Sequence, residues 1–495
     1  MYHDVVNEMR RRARKGCRMT DEELKVRVDA YVNEVWESVV EDIRSLVRIR
    51  SVEDLDAAQE GRPYGPACLE ALERGLEIAS RLGLDAHNCD GHIGYADLAG
   101  SSERYLATIA HTDVVPEGLG WSVDPYDVTR REGYLLGRGV LDDKGPFVLS
   151  LYAAHFLKRL VDETGERLPY TLRCIVGNEE ETNMGDLDWY LENYPEPEFA
   201  FTPDADFPLI CGEKGVFHGR FGMVGSSGGA GESRIVEMDG GTVANAIPGL
   251  ATAVVRADAS SLPARANIDV EPAGDGLARV RAHGRGGHAS LPEGTLNAIG
   301  LLADYLMDHG ICSKDERRFL VLEHALCSCG HDGAALGIKA SDERFGPLTV
   351  IGGTVRMVNG HLVQTCDARY PSSTDDERIA RTLTSFAEGH GCTFDVDAVK
   401  VPFYVEPDSP EIRTLLDTYD EYTGRRSEAF VIGGGTYARK FRRACAFGPH
   451  EPDEDVPSWV GPEHGADEGI SEASLRRALK VYIVSIWRLM QLSYQ

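Results

Sequence analysis

The chain lacks the long apolar runs of a membrane or secreted protein. No stretch of its 495 residues approaches the roughly 20 apolar residues that a membrane-spanning helix needs. Its N-terminal segment carries acidic and polar residues instead of the apolar core of a signal peptide. The sequence therefore predicts no membrane association, and it favours a cytoplasmic location.

Positive charge is scarce. The chain has 52 lysines and arginines against 80 aspartates and glutamates, which gives a formal net charge of −28. Such a surface repels nucleic acids and anionic membranes, so neither is expected as a partner. The stretch Met9–Lys15 is locally basic, and in this acidic context we interpret it as a solvated extension before the first helix.

The cysteines show no pairing pattern. There are 11 of them, an odd number scattered over the whole length, which is unlike a disulfide framework. Cys327 and Cys329 form a lone C-x-C without a second pair at metal-binding spacing. All are predicted to be ordinary thiols in a reducing compartment.

The length and a hydrophobic fraction of 42% indicate a globular protein of two domains or more. Apolar residues at helical spacing predict helices over Asp21–Val47, Pro66–Leu82 and Pro146–Leu160. Short apolar runs typical of buried strands alternate with them, at Tyr105–Ala110, Tyr170–Val176 and Phe199–Thr202. This alternation predicts an α/β fold with a mostly parallel sheet and flanking helices, in which ligands bind at the carboxyl ends of the strands.

The pattern changes to α+β after Lys214. Strand-like segments follow a Gly- and Ser-rich cluster at Gly225–Gly231, and the α/β pattern returns with helices over Glu411–Tyr422 and Ser471–Leu492. A domain interrupted by an insertion of roughly 190 residues is therefore predicted, and that length is within the usual size of a domain. The predicted segments are an N-terminal extension (1–25), the first part of the interrupted domain (26–215), the insertion (216–403) and the second part (404–495).

Five acidic and histidine-bearing stretches form a candidate metal site. Zinc and manganese are held by imidazole and carboxylate, and two neighbouring ions need one shared carboxylate plus two further ligands each. Three of the stretches follow predicted strands directly, so they are expected at one edge of the sheet. The five are His111–Asp113, Asp142–Gly145, Glu179–Glu181, Pro203–Ala205, and His464 with Asp467–Glu468.

The motifs around these stretches resemble the co-catalytic zinc peptidases, which include carboxypeptidase G, aminoacylase, succinyl-diaminopimelate desuccinylase and carnosinase. Further motifs narrow the resemblance to the PepV-like dipeptidases, over nearly the whole chain. It implies that the interrupted domain is catalytic and that the insertion is a substrate-clamping lid. The motifs are His111–Pro116, Gly137–Pro146 and Gly177–Thr182 for the family, and Phe201–Pro208, Gly212–Gly215 and Ile432–Tyr437 for the narrower group.

The resemblance implies a set of metal ligands in which Asp142 bridges two ions and is followed by a cis peptide bond. Each ion would have two further ligands, His111 and Asp204 for one, Glu181 and His464 for the other.

Three neighbouring residues would support the ligands. Asp113 lies two residues after His111, so in an extended segment its side chain points the same way and can accept the second ring N–H. Asp143 would be structural, and Lys144 would pair with local carboxylates.

The run of three glutamates leaves a question of register. The family order of acidic residue, general base and metal ligand assigns the base to Glu180 and the ligand to Glu181, and a shift to Glu179 and Glu180 is the alternative. The base would take a proton from a water between the ions as it attacks the scissile carbonyl, and pass it to the leaving amine.

The last ligand has a competitor. His464 is followed by the small residues Gly465 and Ala466 and lies just before the closing helix. His450 is followed by glutamate and proline and lies further from that helix. We therefore predict His464 as the ligand and His450 as a loop histidine.

Several residues match substrate-binding positions of the family. His288 matches a histidine that helps to hold the oxyanion, with His283 as its rival, and Asn245 matches an amide donor to the substrate. Arg369 matches the arginine that clamps the substrate's C-terminal carboxylate, a task suited to a planar bidentate donor. The clamp would be completed by backbone N–H groups of Gly434, Gly435 and Thr436. At a fixed distance from the metals it would admit dipeptides and exclude longer chains.

The resemblance thus predicts a dinuclear metal-dependent dipeptidase acting on dipeptides with free amino and carboxyl termini. The alternative is an N-acyl amino acid deacylase or desuccinylase, and two residues argue against it: Arg369, and Asp204, where such enzymes tend to have glutamate. A silent binding protein on the same scaffold would lack a ligand or the base, and none is missing. We expect two divalent ions per chain, zinc first with manganese or cobalt as alternatives, a small peptide as partner, and a monomer.

Overall fold

The structure is a computed structural model that describes residues 20–224 and 233–494. Met9–Lys15, most of the predicted extension 1–25 and the cluster Gly225–Gly231 lie outside the described residues. The chain divides into two compact units, here called the first unit (1–211, 404–430 and 436–495) and the second unit (212–403 and 431–435). The short run 431–435 belongs to the second unit, where Lys214 N–H donates to the Ile432 carbonyl at 2.9 Å.

The helices begin where their sequences provide caps. Helix α1 starts with a capping box, in which the Thr20 hydroxyl and the Glu23 carboxylate accept each other's backbone N–H. Its predicted bounds, Asp21–Val47, are confirmed. The α-helices are α1 (Asp21–Val47), α2 (Pro66–Arg81), α3 (Lys144–Thr164), α4 (Gly185–Asn193), α5 (Ala298–Asp308), α6 (Lys314–Cys327), α7 (Asp376–Gly389), α8 (Pro410–Thr423) and α9 (Glu472–Leu489).

The strands follow in chain order. Those before the second unit are β1 (Asp85–Cys89), β2 (Ile93–Leu98), β3 (Tyr105–His111), β4 (Thr129–Arg131), β5 (Tyr134–Leu136), β6 (Thr171–Gly177), β7 (Phe199–Thr202), β8 (Ala205–Asp206) and β9 (Ile210–Glu213). The next are β10 (Gly215–Met223), β11 (Ile235–Gly240), β12 (Ala246–Ile247), β13 (Leu250–Val255), β14 (Ile268–Gly274), β15 (Leu277–His283), β16 (Gly287–His288), β17 (Ser341–Asp342), β18 (Gly346–Pro347), β19 (Thr349–Val358), β20 (His361–Tyr370) and β21 (Cys392–Lys400). The last are β22 (Phe403–Tyr404), β23 (Phe430–Ile432), β24 (Ala444–Ala446), β25 (Pro449–His450) and β26 (Gly469–Ser471).

The main sheet of the first unit has the order β1-β2-β6-β3-β7-β24-β9-β22. Its central strands β6, β3, β7 and β24 are parallel, whereas β1, β2 and β9 pair antiparallel at the sides. Helices α1, α3 and α9 pack against one another through apolar faces that are almost fully buried. The predicted α/β fold with a mostly parallel sheet is confirmed.

The second unit is built on an antiparallel sheet of order β14-β15-β13-β11-β19-β20-β10-β21. Helices α5 and α6 pack together and cover part of this sheet, and α7 packs on β21. One apolar cluster, which includes Phe217, Ile299, Leu302 and Phe319, lies between the helices and the sheet. This α+β composition agrees with the change of pattern after Lys214.

The topology of the first unit brings three of the predicted metal-binding stretches to one edge. His111 is the last residue of β3, Gly177 ends β6 two residues before the glutamate run, and Thr202 ends β7 two residues before Asp204. Strands β6, β3 and β7 are parallel neighbours, so their carboxyl ends meet.

The sequence predicts neither a membrane-spanning helix nor a disulfide framework. Among residues 20–224 and 233–494, none of the helices is both long and apolar enough to cross a membrane. The described cysteines are all free thiols, including Cys327 and Cys329.

Candidate metal centre

Two groups of side chains in the first unit are arranged as metal ligands. His111, Asp142 and Asp204 form one group, and Asp142, Glu181 and His464 form the other, with the donor atoms of each group within 4.8 Å of one another. Asp142 belongs to both. Its Oδ1 lies 3.1 Å from His111 Nε2 and its Oδ2 lies 2.8 Å from His464 Nε2, so its two oxygens face different histidines, as a bridging carboxylate requires.

The side chains fit divalent cations in chemistry as well as spacing. His111 Nε2 is buried and makes no hydrogen bond within the described residues, although Asp142 and Asp204 surround it. Burial alone would lower the pKa of His464, but hydrogen bonds to Asp142 and Glu181 outweigh burial and raise it to about 12. The cluster therefore favours positive charge, and imidazole with carboxylate is a donor set that zinc accepts.

Asp113 supports His111 in a slightly different way from the prediction. His111 Nδ1 lies 3.0 Å from the Asp113 backbone carbonyl and 3.4 Å from the carboxylate. The Asp113 Oδ2 accepts the backbone N–H of Glu181 at 3.0 Å. Asp113 lies beyond the end of β3, where the chain is no longer held as a strand, and its backbone carbonyl is nearer to the His111 ring than its carboxylate. The Asp113 carboxylate instead joins the His111 segment to the Glu181 segment.

Glu468 holds the loop that carries Asp142. Its buried Oε1 accepts backbone N–H groups from Gly139, Leu141 and Asp142 at 3.0 to 3.2 Å. The other oxygen pairs with Arg138, a fully buried ion pair. Since Glu468 lies four residues after His464, these hydrogen bonds fix the Asp142 loop relative to the segment that carries His464.

The residues after Asp142 have structural contacts. The peptide bond between Asp142 and Asp143 is cis, as the resemblance implied. Asp143 Oδ2 accepts the backbone N–H of His111 at 3.0 Å. Lys144 is buried and donates to the Ile49 carbonyl at 2.7 Å. The predicted pairing of Lys144 with carboxylates is wrong, because the start of α3 directs its ammonium group to a backbone oxygen.

The glutamate run divides into three environments. Glu179 Oε2 accepts the backbone N–H groups of Gly185 and Asp186 at the start of α4. Glu181 Oε2 lies 3.1 Å from His464 Nε2. Glu180 has a buried Oε1 without a hydrogen-bond partner among the described residues. Burial raises the pKa of Glu180 well above its usual range, and bound cations would act in the opposite direction. These contacts favour the register with Glu180 as base.

Tyr437 and Asp186 hold the loop that carries the glutamate run (Asn178–Glu181). The Tyr437 hydroxyl donates to Asp186 Oδ2 at 2.5 Å, and the same oxygen accepts the N–H groups of Asn178 and Glu179. A side chain at Gly177 would place its Cβ 1.9 Å from that hydroxyl, so only glycine fits. The Tyr437 ring also meets the His111 ring edge-on, 6.3 Å between centroids. One buried tyrosine thus supports both the glutamate loop and His111.

Removing the Tyr437 hydroxyl should destabilise the first unit. Tyr437→Phe should cost about 1.5–3 kcal/mol, since a hydrogen bond to a charged group is lost. All five tryptophans of the chain lie in the first unit, so tryptophan fluorescence during denaturation reports on that unit. Tyr482→Phe is the matched control, because the Tyr482 hydroxyl is buried without a partner in the described part of the chain. Equal losses in the two variants would contradict this role of Tyr437.

His450, the competitor of His464, lies outside both ligand groups. Its strand β25 pairs with β8, and its Nδ1 hydrogen-bonds to Asp206. The hydrogen bond to Asp206 raises the pKa of His450.

In the second unit, the structure brings Asn245 and His288 together. The residue after Asn245 pairs with His288 between β12 and β16, and Ala289 N–H donates to the Asn245 carbonyl at 2.9 Å. His288 Nδ1 accepts the Ser290 N–H at 3.2 Å, so a neutral ring carries its proton on Nε2, as an oxyanion donor requires. The rival His283 pairs with Asp269 at 2.9 Å and is exposed.

Arg369 lies in the same part of the second unit. It pairs with Thr349 between β19 and β20, and the Thr349 hydroxyl donates to the Ala289 carbonyl. Arg369 Nη1 donates to the Gly433 carbonyl at 2.9 Å. The next residues along the chain, Gly434 and Gly435, also belong to this unit, whereas Thr436 belongs to the first unit and caps a 3₁₀ turn there.

The comparison with known proteins identifies the family. The model of Peptidase family M20/M25/M40 matches residues 107–488, well over half of the chain. This chain belongs to the M20/M25/M40 peptidases. The resemblance drawn from the sequence is thereby confirmed, and the protein is a metallopeptidase, a hydrolase of peptide bonds.

Relatives of this M20/M25/M40 peptidase extend over nearly its whole length. It is 31% identical over 468 residues to the Beta-Ala-Xaa dipeptidase of Lactobacillus delbrueckii subsp. lactis, which covers 92% of this chain and 96% of that relative. Human carnosine dipeptidase 1 is similar in fold, with a TM-score of 0.60 and 13% identity over 95% of this chain and 99% of that one. The dipeptidase Dug1p of Saccharomyces cerevisiae has a TM-score of 0.59 and 12% identity over 94% and 99%.

Some contacts of this M20/M25/M40 peptidase were not found by sequence reasoning. Arg138, Tyr437 and Glu468 lie inside motifs that the sequence already singles out, but nothing local assigns them a role. Asp186 gives no sequence signal, because its partners are brought to it by folding.

Proposed function

We propose that this peptidase is a two-metal dipeptidase acting on dipeptides with free amino and carboxyl termini. The observation that carries the proposal is the pair of ligand groups that share Asp142, with the carboxyl of Glu180 buried beside them. The name of the relative from Lactobacillus delbrueckii, a dipeptidase, supports the substrate class.

We assign one ion to His111, Asp142 and Asp204, and the other to Asp142, Glu181 and His464. Zinc is the first choice for this imidazole and carboxylate set, and manganese or cobalt would also be accepted. When bound, the ions lower the pKa of a water and stabilise negative charge on the scissile carbonyl.

Glu180 is assigned as general acid and base. It takes a proton from the water that attacks the peptide carbonyl and then donates that proton to the leaving amine. Burial raises its pKa above the usual range of a carboxyl, which suits a group that must both accept and release a proton. Asp113 serves as an orienting residue, holding the Glu181 segment through one oxygen while its backbone carbonyl fixes His111.

The second unit supplies the residues assigned to the substrate. His288, with its proton on Nε2, is the donor to the developing oxyanion, and Asn245 beside it is a donor to the substrate. Arg369 binds the C-terminal carboxylate together with the N–H groups of Gly434, Gly435 and Thr436. Aspartate at position 204, typical of the family's dipeptidases, supports the requirement for a free amino terminus.

A substrate panel tests this proposal. With zinc, manganese and cobalt in parallel, dipeptides should be hydrolysed with kcat/KM at least about a hundredfold above that of N-acetyl or N-succinyl amino acids, because a site built for charged termini is left with unpaired groups by the analogues. Tripeptides should also be poor substrates. Faster release of acetate or succinate than of amino acids from dipeptides would favour the deacylase alternative and contradict the proposal.

A further inference from the structure

The guanidinium of Arg369 is fixed on two sides within the second unit. Its Nε donates to Asp367 Oδ1 at 2.7 Å and its Nη2 donates to Asp367 Oδ2 at 2.9 Å. Its Nη1 donates to the Gly433 carbonyl at 2.9 Å. Asp367 is fully buried and Arg369 is 6% exposed. The two side chains therefore form a planar, bidentate pair with little freedom to turn.

This arrangement determines which edge of the guanidinium can meet a ligand. An arginine side chain has N–H groups on all three nitrogens, in a rigid fork. The three hydrogen bonds use one N–H of each nitrogen. Nη1 and Nη2 each keep a second N–H, and these two nitrogens form the end of the fork. That edge matches the two oxygens of a carboxylate.

Asp367 is in turn held from the neighbouring strand. His218 on β10 lies opposite Asp367 on β20, and its Nε2 lies 2.7 Å from Asp367 Oδ2. Burial would raise the pKa of Asp367, but the hydrogen bond from His218 and the charge of Arg369 outweigh burial and lower it. The aspartate is therefore a carboxylate that accepts from both neighbours and cannot rotate without losing one of them.

We propose that Asp367 and His218 are positioning residues that orient Arg369, and that they thereby set the preference of the enzyme for substrates with a free C-terminal carboxylate. The inference rests on the proposed dipeptidase function and on the assignment of Arg369 to the substrate carboxylate. It adds two residues that touch neither substrate nor metal in that assignment. Without Asp367 the Arg369 guanidinium would lose two of its three hydrogen bonds, and its outer edge would no longer be fixed in one orientation.

The test compares a dipeptide with its C-terminal amide in the full-length, metal-loaded enzyme. Asp367→Asn keeps the size of the side chain but turns an N–H₂ group towards the donors Arg369 and His218. KM for the dipeptide should rise at least about tenfold, as expected when a charge-assisted hydrogen bond is lost. The kcat for the dipeptide should change less than about twofold, because the clamp binds substrate and transition state alike. The kcat/KM for the amide should also change less than about twofold, because the amide lacks the carboxylate that Arg369 binds.

Variants of His218 separate positioning from folding. His218→Gln keeps a donor towards Asp367 and should preserve the wild-type KM, whereas His218→Leu should raise KM for the dipeptide in the same direction as Asp367→Asn. Asp397→Asn is a matched control. It removes the partly exposed ion pair between Asp397 on β21 and Arg220 on β10. The kcat and KM for both substrates should stay within about twofold of wild type, because an exposed ion pair contributes little.

The outcomes distinguish this inference from the proposed function. If wild-type enzyme hydrolyses no dipeptide, the proposed function fails. If it does, and Asp367→Asn lowers kcat for both substrates equally while KM is unchanged, Asp367 is merely structural and the inference is overturned. Should Asp367→Asn fail to fold, the two His218 variants decide, and equal KM values of His218→Gln and His218→Leu for the dipeptide would overturn the inference.

Discussion

Replacing Glu180 by glutamine should lower kcat for a dipeptide by about 10³-fold, in the range that a positioned acid–base group contributes. The reason is chemical: the amide cannot accept the proton of the attacking water. Its shape fits the same buried position, and Glu180 belongs to neither ligand group. The content of bound metal, measured by mass spectrometry of the dialysed protein, should therefore stay at the wild-type level.

The neighbouring glutamate is the control for register. Glu179 accepts two backbone N–H groups at the start of α4, and the carbonyl oxygen of glutamine can do the same. Glu179→Gln should thus keep most of the activity. If Glu179→Gln lost turnover while Glu180→Gln remained active, the base would be one residue earlier and the present assignment would be wrong.

The sequence predicted well those features that depend on short segments. His111 ends an apolar strand, and the glutamate run and Asp204 each begin two residues after one, so a parallel sheet gathers them at one edge. Helix α1 was predicted with its bounds because its cap and its apolar spacing are local. The candidate ligands stand out in the sequence because each lies in a motif of several residues, and the structure brings them into two groups.

The contacts that hold the site were not predictable in the same way. Tyr437 and Asp186 are 251 residues apart, and Arg138 and Glu468 are 330 apart. Pairing at that distance is decided by the packing of the whole unit and leaves no local pattern. Lys144 shows the consequence: neighbouring carboxylates in the sequence suggested ion pairs, but the fold brings the Ile49 carbonyl to its ammonium group.

The shared position of Asp142 leads to a second large effect, on metal content. Because Asp142 contributes to both ligand groups, Asp142→Asn should weaken both sites, whereas Asp204→Asn should weaken the first site alone. After dialysis against a weak chelator, Asp204→Asn should retain about one ion per chain and Asp142→Asn about none, since structural carboxylate ligands bind as anions. The activity of Asp142→Asn should fall more than about 10³-fold, because both ions contribute to catalysis.

Asp143→Asn is the control for the fold around this aspartate. Asp143 accepts the backbone N–H of His111, which an asparagine oxygen can also accept, so the metal content of this variant should match that of wild type. Titration with zinc, followed by mass spectrometry and by activity, compares the three variants directly. If Asp142→Asn lost only one ion, as Asp204→Asn is expected to do, Asp142 would be a ligand of one ion only, and the two-metal arrangement with a bridging carboxylate would have to be abandoned.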